Sequence, residues 1–371
     1  MAEAALAARA FGPSVEARLR AAAERLLRYH FEAWFYGDSI GFEGLLAASE
    51  LLADARYRDF AHGFLRGWAA RDEPRRADDN TTPGLVLCQL AGDRGDVALL
   101  DAARRLATHL AARRRIKGVA VTFEDARRSL REPYGGATSS APDREILAAP
   151  GAGVYVDCLH FDPPFYAAFA SAADDPAWSR RAVEEAAGYV ALLQDPEGGM
   201  FAHFWLEDQT RAFGWGWGRG QGWALLGLLD VLGLVPDRRA EVTGLEHAAE
   251  RLLTAMLGSQ RADGSWSAVA GVPDSGDEAS TAAFMSAGFL RAIRLGHGEP
   301  VALQVASERA WSSLIDAVDG DGLLAGVSAA VYSSTVEEHY HHVPRGFDVP
   351  WGQGPLLVAA LEVARASVDQ A

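Results

Sequence analysis

The sequence predicts an all-α fold, and within that class an (α/α)6 barrel of six inner and six outer helices. Apolar residues recur three and four positions apart along nearly the whole chain, whereas strand-type alternation is scarce. The helical segments alternate between an amphipathic kind and a kind that is small and apolar on every side. At 371 residues the chain exceeds the usual range of one hydrophobic core, a length that a closed array of helical hairpins accommodates without splitting. Residues 1–371 are therefore read as one domain, with two separate helical domains as the alternative.

Val15, Leu19, Ala22 and Leu26 mark the first helix, which ends near Tyr29. An inner segment follows over roughly 41–53, an outer one over 55–71, then an inner one over 81–91 and an outer one over 96–113. After a long aperiodic stretch, inner and outer segments alternate over roughly 157–172, 176–194, 219–234, 238–258, 279–296, 299–317 and 351–366, about twelve in all. The amphipathic kind is typified by "AWSRRAVEEAAGYVALLQ", the apolar kind by "GQGWALLGLLDVLGLV" and "GQGPLLVAALEVA". An amphipathic helix belongs outside and an all-apolar one inside.

Each inner helix opens on a polar, glycine or aromatic cluster. These are Trp34–Gly41, Asp78–Gly84, Tyr155–His160, Trp215–Trp223, Asp277–Thr281 and Pro350–Gly354. Alternation makes the inner helices parallel, so all six clusters meet at one mouth, where helix N-termini favour an anionic group. Loops leaving outer helices reach the same mouth. Three carry Asp or Glu beside Gly and then a short extended stretch: "QDPEGGMFAHFW", "QRADGSWSAV" and "DGDGLLAGV". The segments from about 114 to 156 and 326 to 350 lack a helical period, and long loops at a barrel mouth are usually functional.

Composition narrows the partners. Lysine and arginine number 35 against 50 acidic residues, a net charge of −15, with no long basic run, so nucleic acid and anionic membranes are not expected partners. The N-terminal stretch lacks a basic region before an apolar core, so no signal peptide is expected. The most apolar stretch is short and holds Asp230, which argues against a membrane span. Cys88 and Cys158 have no metal-ligand spacing and read as core thiols of a cytoplasmic protein.

Among the mouth residues, Asp157 in "VYVDCLHFDPPF" has two readings. It can cap the helix it begins. Alternatively, burial among Tyr155, Phe161 and Phe165 raises its pKa until it serves as a general acid. Asp79 is the candidate second carboxylate, with Asp78 competing. Trp215, Trp217 and Trp223 are interleaved with glycine, as expected where backbone and indole faces approach a sugar. Arg219 could fork onto a substrate carboxylate or pair with Asp79 or Glu278. His203 could bond a hydroxyl or be structural. His339, His341 and His342 lie near Glu337 and Glu338 without an established zinc spacing, which favours a solvated loop or lid over a metal site. No strand-borne GxSxG, P-loop or dinucleotide fingerprint is present.

Taken together, "VYVDCLHFDPPFYAAFA", "WGWGRGQGWALLGLLDVL", "QRADGSWSAV…DEASTAAF" and "PWGQGPLLVAALE" resemble, in order and spacing, the unsaturated glucuronyl and rhamnogalacturonyl hydrolases of glycoside hydrolase families 88 and 105. The resemblance runs from about Trp34 to Glu362, and its most specific element is the Gly-Arg-Gly-Gln-Gly-Trp run at 218–223. It implies an (α/α)6 barrel that hydrates the C4=C5 double bond of sugars left by polysaccharide lyases, without cofactor or metal.

By resemblance, Asp157 protonates C4 and assists water addition at C5, after which the product opens and releases the neighbouring sugar. Asp79 matches the second aspartate, and His203, Trp217 and Arg219 line the sugar site. Trp34, Tyr36, Tyr155, His160, Trp215, Gln221, Trp223, Thr281, His341 and Trp351 are the further expected substrate contacts. Tyr155, His160 and Asp162 depart from the usual family residues, so the sugar beyond the uronate need not be rhamnose. The expected partner is a small unsaturated oligosaccharide, bound by a monomer or homodimer. The alternatives are an inverting glycosidase using Asp157 and Asp79 on a saturated sugar, and a non-catalytic sugar-binding protein on the same barrel.

Overall fold

The computed structural model describes residues 5–71, 78–79, 81–235 and 240–369. In chain order its helices are α1 (Leu6–Ala10), α2 (Pro13–Arg28), α3 (Asp38–Leu51), α4 (Ala55–Arg71), α5 (Gly84–Arg94), α6 (Val97–Ala111), α7 (Ala141–Ala148), α8 (Cys158–Ala173), α9 (Pro176–Leu193), α10 (Gly218–Leu234), α11 (Ala240–Ser259), α12 (Ala279–Leu295), α13 (Pro300–Ala317) and α14 (Pro350–Asp369). The predicted two kinds are present. Inner α10 is buried continuously from Gly218 to Leu229. Outer α9 buries chiefly one face, including Ala182, Val183, Ala186, Tyr189 and Leu193. Each fully buried Leu or Val on such faces contributes roughly 1.5–3 kcal/mol.

The inner ring runs α3, α5, α8, α10, α12, α14, and α14 packs directly on α3 to close it. Glycine permits that last approach: a Cβ on Gly354 would lie 2.4 Å from the Ile40 carbonyl oxygen. This is the (α/α)6 barrel that the alternation predicts.

The repeated loop signatures have a common structural cause. Gly199, Gly264 and Gly322 all have φ near +80° and each presses on the next outer helix, so that a Cβ would meet Arg251 O at 2.5 Å, Arg309 O at 2.2 Å and Ala22 N at 2.2 Å. The third contact joins the loop after α13 to α2 and closes the outer layer. Gln194 and Gln260 repeat the device, each donating to its loop glycine carbonyl and to a carbonyl of the following outer helix.

Several elements differ from expectation. α5 starts at Gly84, since Pro83 occupies the N-cap, and the first two positions of the expected 238–258 helix lie outside the described residues. The aperiodic segment after α6 contains a hairpin, β1 (Arg115–Ile116) with β2 (Val119–Ala120), and then α7. Beyond α7, β3 (Gly153–Tyr155) pairs antiparallel with β4 (Ala202–Leu206), which pairs with β5 (Arg211–Trp215). Tyr155, Phe204 and Phe213 lie in register and stack at 5.4 and 5.3 Å, giving this small sheet a core with Ala126, Leu130 and Leu206. The sheet matters because β3 runs straight into Asp157 and β4 carries His203 beside it.

Candidate active site

Asp157 occupies the N-cap position of α8, yet its side chain makes no capping bond. That removes the capping explanation for the charge. The residue is only 4% exposed, and its Oδ1 has no hydrogen-bond partner. Burial raises its pKa to about 7, against a lowering contribution from Arg219. The neighbouring chain is fixed around it: Val156 donates to His203 O at 2.9 Å, and Tyr155 donates to Thr122 Oγ1 at 3.2 Å.

His203 Nε2 lies 3.7 Å from Asp157 Oδ2. The two do not form an ion pair at neutral pH, because burial first, then His339 and Arg219, hold the imidazole well below its usual pKa. The ring packs on Trp217 at 4.3 Å, and its Nδ1 lies 2.8 Å from the Tyr340 hydroxyl. Tyr36 also faces Asp157, and its hydroxyl accepts from Arg219 Nε at 3.3 Å.

Asp79 lines the same cavity as Asp157, and Asp78 does not. Asp78 instead pairs with Arg128 Nε at 2.9 Å and accepts from Glu124 N–H at 3.4 Å. Asp79 adopts a left-handed φ of 69°, a conformation that Asp tolerates through local hydrogen bonds. Its N–H donates to Thr122 O and its Oδ1 accepts from Thr81 N, both at 2.8 Å, while Trp34 Nε1 and Arg113 donate to its carbonyl. Asn80 lies outside the described residues. The cavity these groups enclose measures about 170 Å³ and is lined also by Phe35, Phe123, Arg128, Cys158 and Tyr332. Burial pushes the Cys158 thiol well up, so it is no nucleophile at neutral pH.

A sequence profile of Glycosyl Hydrolase Family 88 matches residues 20–367. The chain belongs to that family. It is 27% identical over 179 residues to the unsaturated rhamnogalacturonyl hydrolase YesR of Bacillus subtilis, a match covering 48% of this chain and 50% of that relative, so the alignment spans about half its length. Among solved structures, a possible member of the GH105 family from Klebsiella pneumoniae superposes with TM-score 0.78 at 18% identity, covering 95% of this chain and 93% of that one. The unsaturated glucuronyl hydrolase of Bacillus sp. GL1, responsible for the degradation of glycosaminoglycan, superposes with TM-score 0.65 at 20% identity over 95% and 96% of the two chains. These structural likenesses establish the fold.

Of the residues singled out in the sequence of this family 88 chain, Tyr36, Asp79, Tyr155, Asp157 and His203 line the cavity. A second layer supports them. Arg219 is fully buried and spends its guanidinium on Ser328, the Ala329 carbonyl, Tyr36 and, at 3.5 Å, Glu278. The Glu278 pairing therefore holds, and Arg219 offers no free fork to a carboxylate. It also lies over the Trp217 ring, which is itself buried behind His203. Trp351 packs edge-on to Tyr36 and donates to Ser328 O at 2.9 Å.

Other expected contacts fall elsewhere. His160 does not line the cavity: fully buried and deeper in α8, it meets Glu43 at 3.1 Å. Trp223 is buried among Tyr36, His160, Phe161 and Phe284. Gln221 is spent on Phe201 N–H and on the Phe201 and Trp217 carbonyls. Thr281 is buried against Gly218, Trp34 supports Asp79 through its indole N–H, and Trp215 is 43% exposed on β5, outside the cavity lining. His341 sits in the 3-10 turn Glu337–His342, where its carbonyl accepts from Arg345. Sequence reasoning missed Phe35, Phe123 and Arg128 in the cavity lining, and Tyr340, Ser328 and Tyr332 from the aperiodic segment after α13. That segment's length was the only signal for the last three.

Proposed function

We propose that this chain is a glycoside hydrolase that hydrates the C4=C5 double bond of a 4,5-unsaturated uronic acid at the end of a small lyase-generated oligosaccharide. The observation that carries the reading is a carboxyl group with a pKa of about 7 in a sugar-sized cavity that also holds a second carboxylate and a neutral imidazole. Protonated Asp157 gives its proton to C4. Water adds at C5 and returns a proton to the Asp157 carboxylate, so the net addition is one water. The resulting hemiketal opens and releases the sugar behind it. Asp79 lines the same cavity and orients the ring there.

The names of the relatives support the uronyl substrate: one is an unsaturated rhamnogalacturonyl hydrolase and another an unsaturated glucuronyl hydrolase. A cavity of about 170 Å³ falls below the roughly 300 Å³ at which larger ligand sites begin, which favours one sugar unit inside and the rest at the mouth. We read the barrel as one catalytic domain. Two buried cysteines without a disulfide support a cytoplasmic site of action, and no described helix is long and apolar enough to cross a membrane.

The test is the ultraviolet absorbance of the conjugated enol in lyase-generated disaccharides. Absorbance should fall with the native chain and persist with Asp157→Asn. Persistent absorbance on every unsaturated substrate, with release of sugar from a saturated glycoside, would overturn the hydration mechanism.

A further inference from the structure

The segment after α13 turns through Glu337–His342 and buries two rings there, His339 and Tyr340, the latter 1% exposed. Its hydroxyl lies 2.8 Å from His203 Nδ1, on the side of the imidazole opposite Asp157. The ring is wedged between His203 at 5.6 Å and His339 at 5.2 Å, close to Gly214, where any Cβ would lie 2.3 Å from the hydroxyl oxygen. Among the described residues, that hydroxyl has no hydrogen-bond partner besides His203 Nδ1.

A neutral imidazole carries one proton, and the nitrogen that bears it is decided by what the other nitrogen meets. A buried phenol whose one partner is a ring nitrogen leaves its proton unpaired unless it donates to that nitrogen. We propose that Tyr340 is a positioning residue: its hydroxyl donates to His203 Nδ1 and so holds the proton of His203 on Nε2, aimed at Asp157 and the cavity. At 3.7 Å this donor is too distant to keep Asp157 ionised in the resting site. It is close enough to meet the carboxylate once the acid has given up its proton. The segment after α13 thereby acts on the acid without touching it. The effect on turnover rests on the hydration reading; the tautomer does not.

The decisive measurement is 15N NMR of the native chain labelled at histidine nitrogens, with His203→Gln used to assign the signal that disappears. The expected spectrum shows His203 Nδ1 as an unprotonated acceptor and Nε2 as protonated. A protonated Nδ1 would overturn the proposal. Tyr340→Phe should then mix the two tautomers and lower kcat about 10- to 100-fold with KM within about 3-fold, the scale of losing a group that orients a functional histidine. An unchanged spectrum and unchanged kcat in Tyr340→Phe would equally overturn it. Failure of the native chain to hydrate any unsaturated substrate would overturn the proposed function, whereas the tautomer is read in the resting protein without substrate.

Discussion

Replacing Asp157 by Asn should stabilise the folded chain while abolishing turnover, and the stabilisation should depend on pH. Burial raises the Asp157 pKa from an ordinary 3.8 to about 7. Between those values the folded state holds a proton that the unfolded state has released, so stability falls as pH rises through that window and levels off above it. About three pH units at ~1.36 kcal/mol each place the cost of ionising Asp157 on the order of 4 kcal/mol at pH 8. Asparagine cannot ionise and escapes that cost. Urea unfolding followed by tryptophan fluorescence, run on both proteins from pH 4 to pH 8, isolates the effect, because the other buried acids are common to both and cancel in the difference. The carboxamide adds an offset that is the same at every pH. The stability difference should therefore grow with pH by on the order of 4 kcal/mol. Two parallel pH curves would refute the reasoning, since they would mean that Asp157 ionises alike in both states.

The same group predicts the rate profile: kcat/KM on an unsaturated disaccharide should fall as pH rises through about 7, where the acid loses its proton, and a rate that instead rises through that point would assign Asp157 a basic role. Asp79→Asn should lower kcat/KM about 100-fold or more, whereas Asp78→Asn, which loses only its partly exposed pair with Arg128, should stay within about 3-fold when both are assayed on that substrate. Arg219→Lys should reduce turnover on an unsaturated uronate and on its methyl ester by the same factor, because Arg219 holds Tyr36 and the 328–329 backbone rather than a substrate carboxylate. Gly322→Ala should cost about 3 kcal/mol in thermal or urea unfolding, where a Cβ meets Ala22 N at 2.2 Å. Gly136→Ala, at nearly the same φ but with open space around it, should cost about 1 kcal/mol.

The barrel was legible because burial writes a periodic pattern, and α9 and α10 announce their layers as plainly in sequence as in structure. The sheet was not. β4 reads Ala-His-Phe-Trp-Leu and is buried on both faces, so it lacks the alternation that reveals a half-exposed strand. Its partner β3 lies far away in sequence, and a pairing of that kind leaves no local signal. His160 was misplaced for a geometric reason. Three residues beyond Asp157 carry it about 4.5 Å deeper along α8. There it reaches Glu43 instead of the mouth. Arg219 could not be resolved from sequence because the choice between Glu278 and a ligand depends on which acceptors crowd the guanidinium. Ser328 and Ala329, which fill those positions, come from an aperiodic segment more than a hundred residues away.

Six parallel inner helices suggested a mouth that attracts negative charge, and Asp157 shows which effect prevails there. A helix N-terminus favours a carboxylate by roughly 0.3–1 kcal/mol, and up to about 2 in partly buried geometry. Arg219 pulls in the same direction. Burial works against both and wins, since a rise to about 7 corresponds to some 4 kcal/mol in favour of the protonated form. The missing capping bond is what lets it win: an Asp that accepted the first-turn N–H groups would be ionised and spent on the helix. With Oδ1 partnerless and His203 neutral at 3.7 Å, the carboxyl instead keeps a proton near neutral pH and faces a cavity able to receive it. The residue that opens α8 thus withholds stability from its own helix, and the same withholding is what makes it an acid.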